Sequence, residues 1–308
     1  MMEPIVRISG LSHRYSTSWA IRDINIEIPR SGILGLLGSN GAGKSTTMNI
    51  LCGVLTPTAG SVIINGIDLS KEPEKAKQEI GFLPQMPPLY MDLTVDEYLR
   101  HAAILRSIEK GQLKTAIEEV KERCGLTHIS RRLIKNLSGG YKQRVGIAQA
   151  IIHHPKLVVF DEPTNGLDPN QILEVRALIK DIATERAVIL STHILTEVQY
   201  LCRDIVMIES GRIVFADTME AFDNYIAPHS MLVTMENAPS AEALNVIEGV
   251  VRVEFLTEKQ LRIYFNGDRS IAEKLVLESA KQGWRLRELS MEKNSLDETF
   301  AQLSKISN

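Results

Sequence analysis

Gly38-Ser39-Asn40-Gly41-Ala42-Gly43-Lys44-Ser45-Thr46 decides how this 308-residue chain is read. The stretch follows an apolar run, Ile33 to Leu37, and precedes residues Thr46 to Leu55, whose spacing predicts a helix. It fits G-x-x-x-x-G-K-[ST] in the strand–loop–helix context that this pattern requires. Glycines let the backbone curl so that successive N–H groups converge on phosphate oxygens. The positive end of the following helix adds to the attraction. The stretch therefore predicts an ATP phosphate cradle made by Gly38, Ser39, Asn40, Gly41, Ala42, Gly43 and Thr46. Lys44 is expected on the β- and γ-phosphates and Ser45 on Mg2+.

Further along, Leu157-Val158-Val159-Phe160-Asp161-Glu162 is an apolar strand ending in two acids. Such a strand delivers its carboxylates to the C-terminal edge of a parallel sheet, where α/β proteins bind ligands. Asp161 is the expected Mg2+ group, acting through water, and Glu162 the group that polarises an attacking water. Between these two stretches lies Leu137-Ser138-Gly139-Gly140-Tyr141-Lys142-Gln143-Arg144, opening a helix that is expected to run to about His153.

With Leu-Ser-Gly-Gly beside a phosphate loop, the chain resembles the ATPase subunits of ABC transporters. The resemblance implies further roles, residue by residue. Tyr15 matches the aromatic that stacks on adenine, and Gln85 the glutamine that touches Mg2+ and water and senses the membrane partner. Asp168, in Asn165-Gly166-Leu167-Asp168, matches the loop that contacts an opposing subunit; Gly166 departs from the Ser or Ala common there. His193 matches the histidine that contacts the γ-phosphate. In this family the phosphate loop and the signature lie on different subdomains. Each ATP is then held between one chain's Gly38–Thr46 and the other chain's Ser138, Gly139 and Gly140. The implied unit is a head-to-tail dimer, a homodimer being the natural expectation and a heterodimer with a related subunit the alternative.

The resemblance is to export-type members whose membrane-spanning permease chains are separate. Thr192 to Val198, Glu209 to Ile213 and Ser295 to Phe300 follow that pattern, strongly to about residue 225 and more weakly beyond. It implies ATP hydrolysis coupled to transport, at the cytoplasmic face of the cell membrane, with the chain held peripherally by the permease. Relatives move antibiotics, lipids, polysaccharides or ions, and the sequence does not choose among these. Met86-Pro87-Pro88-Leu89-Tyr90-Met91, directly after Gln85, is either a docking patch for a helix of that partner or an internally packed loop.

Bulk properties agree with this frame. Apolar residues make up 44% and charged residues 24%, with a net charge of -3 and a pI near 6.2. A protein that coats nucleic acid shows a strong basic bias instead, so no nucleic-acid partner is expected. Cys52, Cys124 and Cys202 form no C-x-x-C pair, which argues against a disulfide framework or zinc site. Neither a signal peptide nor a run of roughly 18 to 20 apolar residues is visible. The competing class is a soluble ABC ATPase acting on ribosomes or DNA. Such proteins usually carry two cassettes or a long coiled coil, and this chain shows neither.

The predicted fold class is α/β: a P-loop ABC cassette with a mainly parallel sheet, an antiparallel β layer and a helical subdomain, followed by a small α+β domain. Ile5 to Ile8, Ile24 to Ile28 and Ser61 to Asp68, turning at Asn65-Gly66, read as the antiparallel layer. Tyr98 to Ile108 and Leu113 to Cys124 have helical spacing within a subdomain of about 86–154. Ile172 to Ala183 reads as a helix and Ala187 to Leu190 as a buried strand. A boundary near Ala227-Pro228-His229 divides a cassette, 1–227, from an accessory domain, 228–308. The accessory domain reads β-α-β-β-α-β, the ferredoxin-like order, with a last helix capped by Ser295 and Glu298. It is expected to serve either as a small-ligand sensor or as a dimer prop.

Overall fold

A computed structural model describes residues 3–225, 230–268 and 270–292. Contacts divide them into two compact units between Met219 and Glu220. This division precedes the boundary expected near Ala227-Pro228-His229. Pro228 and its neighbours, like the helix expected from Ser295 and Glu298, lie outside the described residues.

In the first unit, alternation of apolar residues builds an antiparallel layer. β1 (Val6–Tyr15) buries Val6, Ile8 and Leu11, and pairs with β2 (Ser18–Ile28), which buries Ile21, Ile24, Ile26 and Ile28. β3 (Gly32–Leu37) is different: from Ile33 to Leu37 every residue is buried, the pattern of an interior parallel strand. The glycine loop then leads into α1 (Lys44–Leu51). This helix stops short of the expected Leu55 because Gly53 turns the chain at φ 66°. β4 (Ala59–Ile64) and β5 (Ile67–Asp68) complete the layer in the order β2-β1-β4-β5. Their turn uses Asn65 at φ 48° and Gly66 at φ 81°, as a primed hairpin turn requires.

After α2 (Pro73–Gln78) and β6 (Ile80–Leu83) comes the helical subdomain: α3 (Val95–Leu105), α4 (Leu113–Arg123) and α5 (Gly139–Ile151). α3 begins three residues earlier than the apolar spacing indicated. Thr94 and Glu97 form a reciprocal capping box there, with Thr94 N donating to Glu97 Oε2 at 2.8 Å and Glu97 N to Thr94 Oγ1 at 3.3 Å.

Strand and helix then alternate as β7 (Leu157–Asp161), α6 (Pro169–Ala183), β8 (Ala187–Thr192), α7 (Leu195–Leu201), β9 (Asp204–Glu209) and β10 (Arg212–Thr218). The second sheet has the order β10-β9-β3-β8-β7-β6. All its pairings are parallel except β10 with β9. One apolar core spans both sheets, joining Val6, Ile24 and Ile64 to Leu34, Val159 and Ile189. Cys52, Cys124 and Cys202 are buried free thiols. Burial pushes all three up, Cys124 to about 12.

α8 (Met219–Tyr225) begins at the division. The second unit contains β11 (Ser230–Met235), α9 (Ala241–Asn245), β12 (Val250–Phe255), β13 (Gln260–Phe265), α10 (Ile271–Gln282) and β14 (Leu286–Glu292). Its strands pair antiparallel in the order β12-β13-β11-β14, the ferredoxin-like arrangement. Met231, Val233, Leu261 and Ile263 from the sheet pack with Leu244, Leu275 and Trp284. The last strand starts after Trp284 because Gly283, at φ 73°, ends α10 and Trp284 N still donates to Ser279 O at 3.1 Å.

Candidate functional site

Topology brings the predicted residues together. β3, β6, β7 and β8 run parallel, so the loops that follow them leave one edge of the sheet. These loops carry Gly38–Thr46, Gln85, Glu162 and His193.

The glycine loop is shaped by close approach and by positive φ. Gly43 has φ 111°, and a Cβ there would lie 2.6 Å from Ile21 Cγ2 and 2.9 Å from Ala20 O. A Cβ on Gly38 would lie 2.4 Å from Ile208 O. Only glycine fits either place. No side chain caps α1, and the amides of Lys44, Ser45 and Thr46 have no acceptor among the described residues. Those are the orphan donors of a helix start, and they form an anion site. Lys44 Nζ donates to Gly38 O at 2.7 Å and to Ser39 O at 3.0 Å. Burial pulls the Lys44 ammonium below the usual lysine range, against the opposing pull of Glu162, Asp161 and Glu209. Ser39 Oγ donates to Glu209 Oε2 at 2.8 Å, which anchors the loop to β9.

Asp161 ends β7 and is buried. Burial pushes its carboxyl up, Ser191 opposes this, Glu162 adds to it, and Ser45 and Lys44 pull it down. Ser191 is the cross-strand neighbour of Asp161. Its buried Oγ has no partner at full hydrogen-bond geometry, so its influence on Asp161 is one of proximity rather than of a formed bond.

Glu162 occupies the left-handed region at φ 48°, fixed by its N–H donating to Ser191 O at 2.9 Å. A non-glycine residue there stores strain of the kind found at functional sites. Its carboxylate is surrounded. His193 Nδ1 lies 2.9 Å from Oε1, while Gln85 Nε2 donates to Oε2 at 3.2 Å and Asn165 Nδ2 at 3.4 Å. Gln85 and His193 are themselves exposed.

The other predicted residues stand apart from this centre. Tyr15 is 52% exposed at the end of β1, with its ring edge-on to His13 at 4.7 Å. Asp168 caps α6 by accepting from Gln171 N at 3.0 Å. Ser138 is the N-cap residue of α5, and its side chain makes no cap bond. Gly139 faces Leu167, and Gly140 packs against Gln171. The signature thus lies against the loop and helix that contain Asp168. Sequence reasoning assigned no site role to Glu209, Ser191 or Gln171, which reach the site from other elements.

Residues 21–165 match the protein family described as ABC transporter. The chain is 38% identical over 251 residues to the uncharacterized ABC transporter ATP-binding protein YdbJ of Bacillus subtilis (strain 168), covering 81% of this chain and 79% of that one. It is 32% identical over 308 residues to the bacitracin transport ATP-binding protein BcrA of Bacillus licheniformis, covering 98% of each. Among solved structures, cbiO1 from Clostridium perfringens, part of the ABC transporter complex cbiONQ, is similar with a TM-score of 0.66 and 27% identity, over 72% of this chain and 91% of that one. Together with the glycine loop, the Asp161–Glu162 strand end and the signature helix, these likenesses show that the chain belongs to the ABC transporter ATP-binding proteins and is an ATP-hydrolysing motor subunit of that family.

Proposed function

We propose that the chain drives export through separate membrane-spanning chains, hydrolysing ATP at composite sites in a head-to-tail dimer. The observation that carries this reading is the convergence of Lys44, Asp161, Gln85, Glu162 and His193 at one sheet edge, while Ser138–Gly140 packs against Leu167 and Gln171 instead. Half of a nucleotide site is complete within the chain. The signature helix start offers uncapped amides to a second chain's ATP. Asp168, beside it, would meet that chain, and Tyr15 would stack on adenine.

Mg2+ fits the residues present. The cation keeps several waters and takes one or two carboxylates plus phosphate oxygens rather than an all-protein cage. Buried Asp161, the nearby Ser45 hydroxyl and the unpartnered Ser191 Oγ make a polar donor set of that kind. Ser45, Asp161 and Gln85 would hold the ion, which when bound neutralises charge developing on the β- and γ-phosphates. The chain's own residues do the rest. Lys44 and the α1 amides bind the phosphates, Glu162 orients the attacking water and takes its proton, and His193 holds Glu162 and reaches the γ-phosphate.

Two features support the membrane-partner reading. Among the described residues no helix is long and apolar enough to cross a membrane. Met86, Tyr90 and Met91 are 85%, 55% and 44% exposed directly after Gln85. Nearby, Tyr98 Oη donates to Pro88 O at 3.3 Å and Pro87 lies against Gly146, so the base of this loop is fixed and its tip is presented. The relative BcrA bears the name bacitracin transport, and SrtF of Streptococcus pyogenes, 34% identical over 221 residues, the name lantibiotic transport. Such a subunit works at the cytoplasmic face of the cell membrane, with the second unit as its accessory domain. The test is membrane sedimentation from cells that express the chain natively. Leu89→Asp with Tyr90→Asp should release it to the soluble fraction while its basal ATPase persists. Unchanged recruitment would overturn the docking surface.

A further inference from the structure

Beneath the contact between Glu162 and His193 lies a second carboxylate, and it is fully buried. Glu197, in the first turn of α7, is 1% exposed. Its Oε2 accepts from Thr192 Oγ1 at 3.0 Å, and its Oε1 accepts a short bond from Thr164 Oγ1. Arg176 on α6 places a guanidinium nitrogen 3.6 Å from the same Oε1. Thr164 and Thr192 are buried too, at 4% and 1%.

Each partner belongs to a different working loop. Thr192 directly precedes His193, and its Oγ1 also accepts from Ile194 N at 3.0 Å, which fixes the backbone on both sides of the histidine. Thr164 lies between Glu162 and Asn165 in the turn that holds the Glu162 carboxylate. Arg176 belongs to the helix that Asp168 caps. One buried carboxylate therefore ties the Glu162 turn, the His193 loop and the Asp168 helix together. An ionised carboxylate can accept from several donors at once. An amide offers one acceptor oxygen and cannot serve both hydroxyls equally, and an alanine strands two buried hydroxyls and an arginine.

We infer that Glu197 is a positioning residue for hydrolysis: it sets the separation and orientation of Glu162 and His193 without touching the nucleotide. This rests on those two residues being the catalytic pair. Loss of near-attack geometry lowers turnover more than binding.

The test uses the full chain with kcat expressed per nucleotide-binding site. Glu197→Gln should lower kcat about tenfold to a hundredfold and leave the KM for ATP within about threefold. Thr192→Val should reproduce the loss, and Thr192→Ser, which keeps the hydroxyl, should restore it. In a His193→Ala background, Glu197→Gln should cost little more, because coupled residues do not add. An unchanged kcat per site in Glu197→Gln, whatever its melting temperature, would overturn the proposal. So would a loss that multiplies in full onto His193→Ala. If Glu197→Gln fails to fold, the Thr192 pair decides alone. Full turnover by Glu162→Gln would instead strike the assignment of the catalytic pair.

Discussion

His193 Nδ1 lies 2.9 Å from Glu162 Oε1, so the imidazole and the carboxylate act as one unit at the end of two adjacent strands. With Gln85 on Oε2, the carboxylate is aimed from both sides. Glu162→Gln keeps the size of the side chain and removes its ability to take a proton. ATP binding should persist and kcat should fall by about two to four orders of magnitude, the usual worth of a general base. Equilibrium nucleotide binding and steady-state phosphate release check the two halves. Wild-type turnover in a pure preparation would remove Glu162 from the role of base.

Two glycines, one in each half, test the proposed composite site. A Cβ on Gly38 would lie 2.4 Å from Ile208 O, a backbone atom of β9 that cannot move aside. Gly38→Ala should therefore distort the loop and lose ATP binding. On Gly140 a Cβ would lie 2.7 Å from Gln171 Cδ, part of a flexible side chain. Gly140→Ala should fold, melt within a few degrees of the wild type and bind ATP at its own Lys44 loop. Its hydrolysis should still fall by at least about tenfold, because pushing against Gln171 shifts the start of α5, whose amides are proposed to meet the second chain's phosphates. Melting curves and nucleotide titrations of both variants, beside their ATPase rates, separate the outcomes. Hydrolysis at the wild-type rate by Gly140→Ala would contradict a signature shared across chains.

Local pattern carried much of this fold. Gly38–Thr46 announced its strand, loop and helix because phosphate chemistry demands particular residue types at fixed spacing. The Asn65-Gly66 turn and the alternating strands of the second unit were legible for a similar reason, since side-chain period and positive φ are written residue by residue. What escaped depends on long-range partners or on caps. α3 starts at Val95 because Thr94 and Glu97 cap one another, a signal that apolar spacing alone does not carry. β9 and β10 were not read as a hairpin, although Ser210 and Gly211 both take positive φ between them. Glu209 on Ser39 and Glu197 on Thr164 bridge residues far apart in the chain, and nothing in a linear pattern pairs them.

His153 supplies a pH-dependent prediction away from the nucleotide. Its Nε2 lies 3.0 Å from Ile80 O, while Nδ1 is buried with no partner. A ring in that setting donates through Nε2–H and stays neutral. Burial is the main cause that pulls its pKa down to about 4, joined by Arg106, Arg186 and His154 and opposed by the bond to Ile80. In the unfolded chain the group titrates near 6.5. Between those values the unfolded state binds the proton and the folded state does not. Stability therefore rises with pH across that window and is lost as pH falls from about 6.5 toward 4. At pH 5 the cost relative to pH 7.5 is about 1–2 kcal/mol from this residue. Urea unfolding midpoints at the two pH values should differ accordingly in the wild type, and His153→Gln, which can still donate to Ile80 O, should remove that part of the difference. An equal pH dependence in both proteins would show that His153 is not the group responsible.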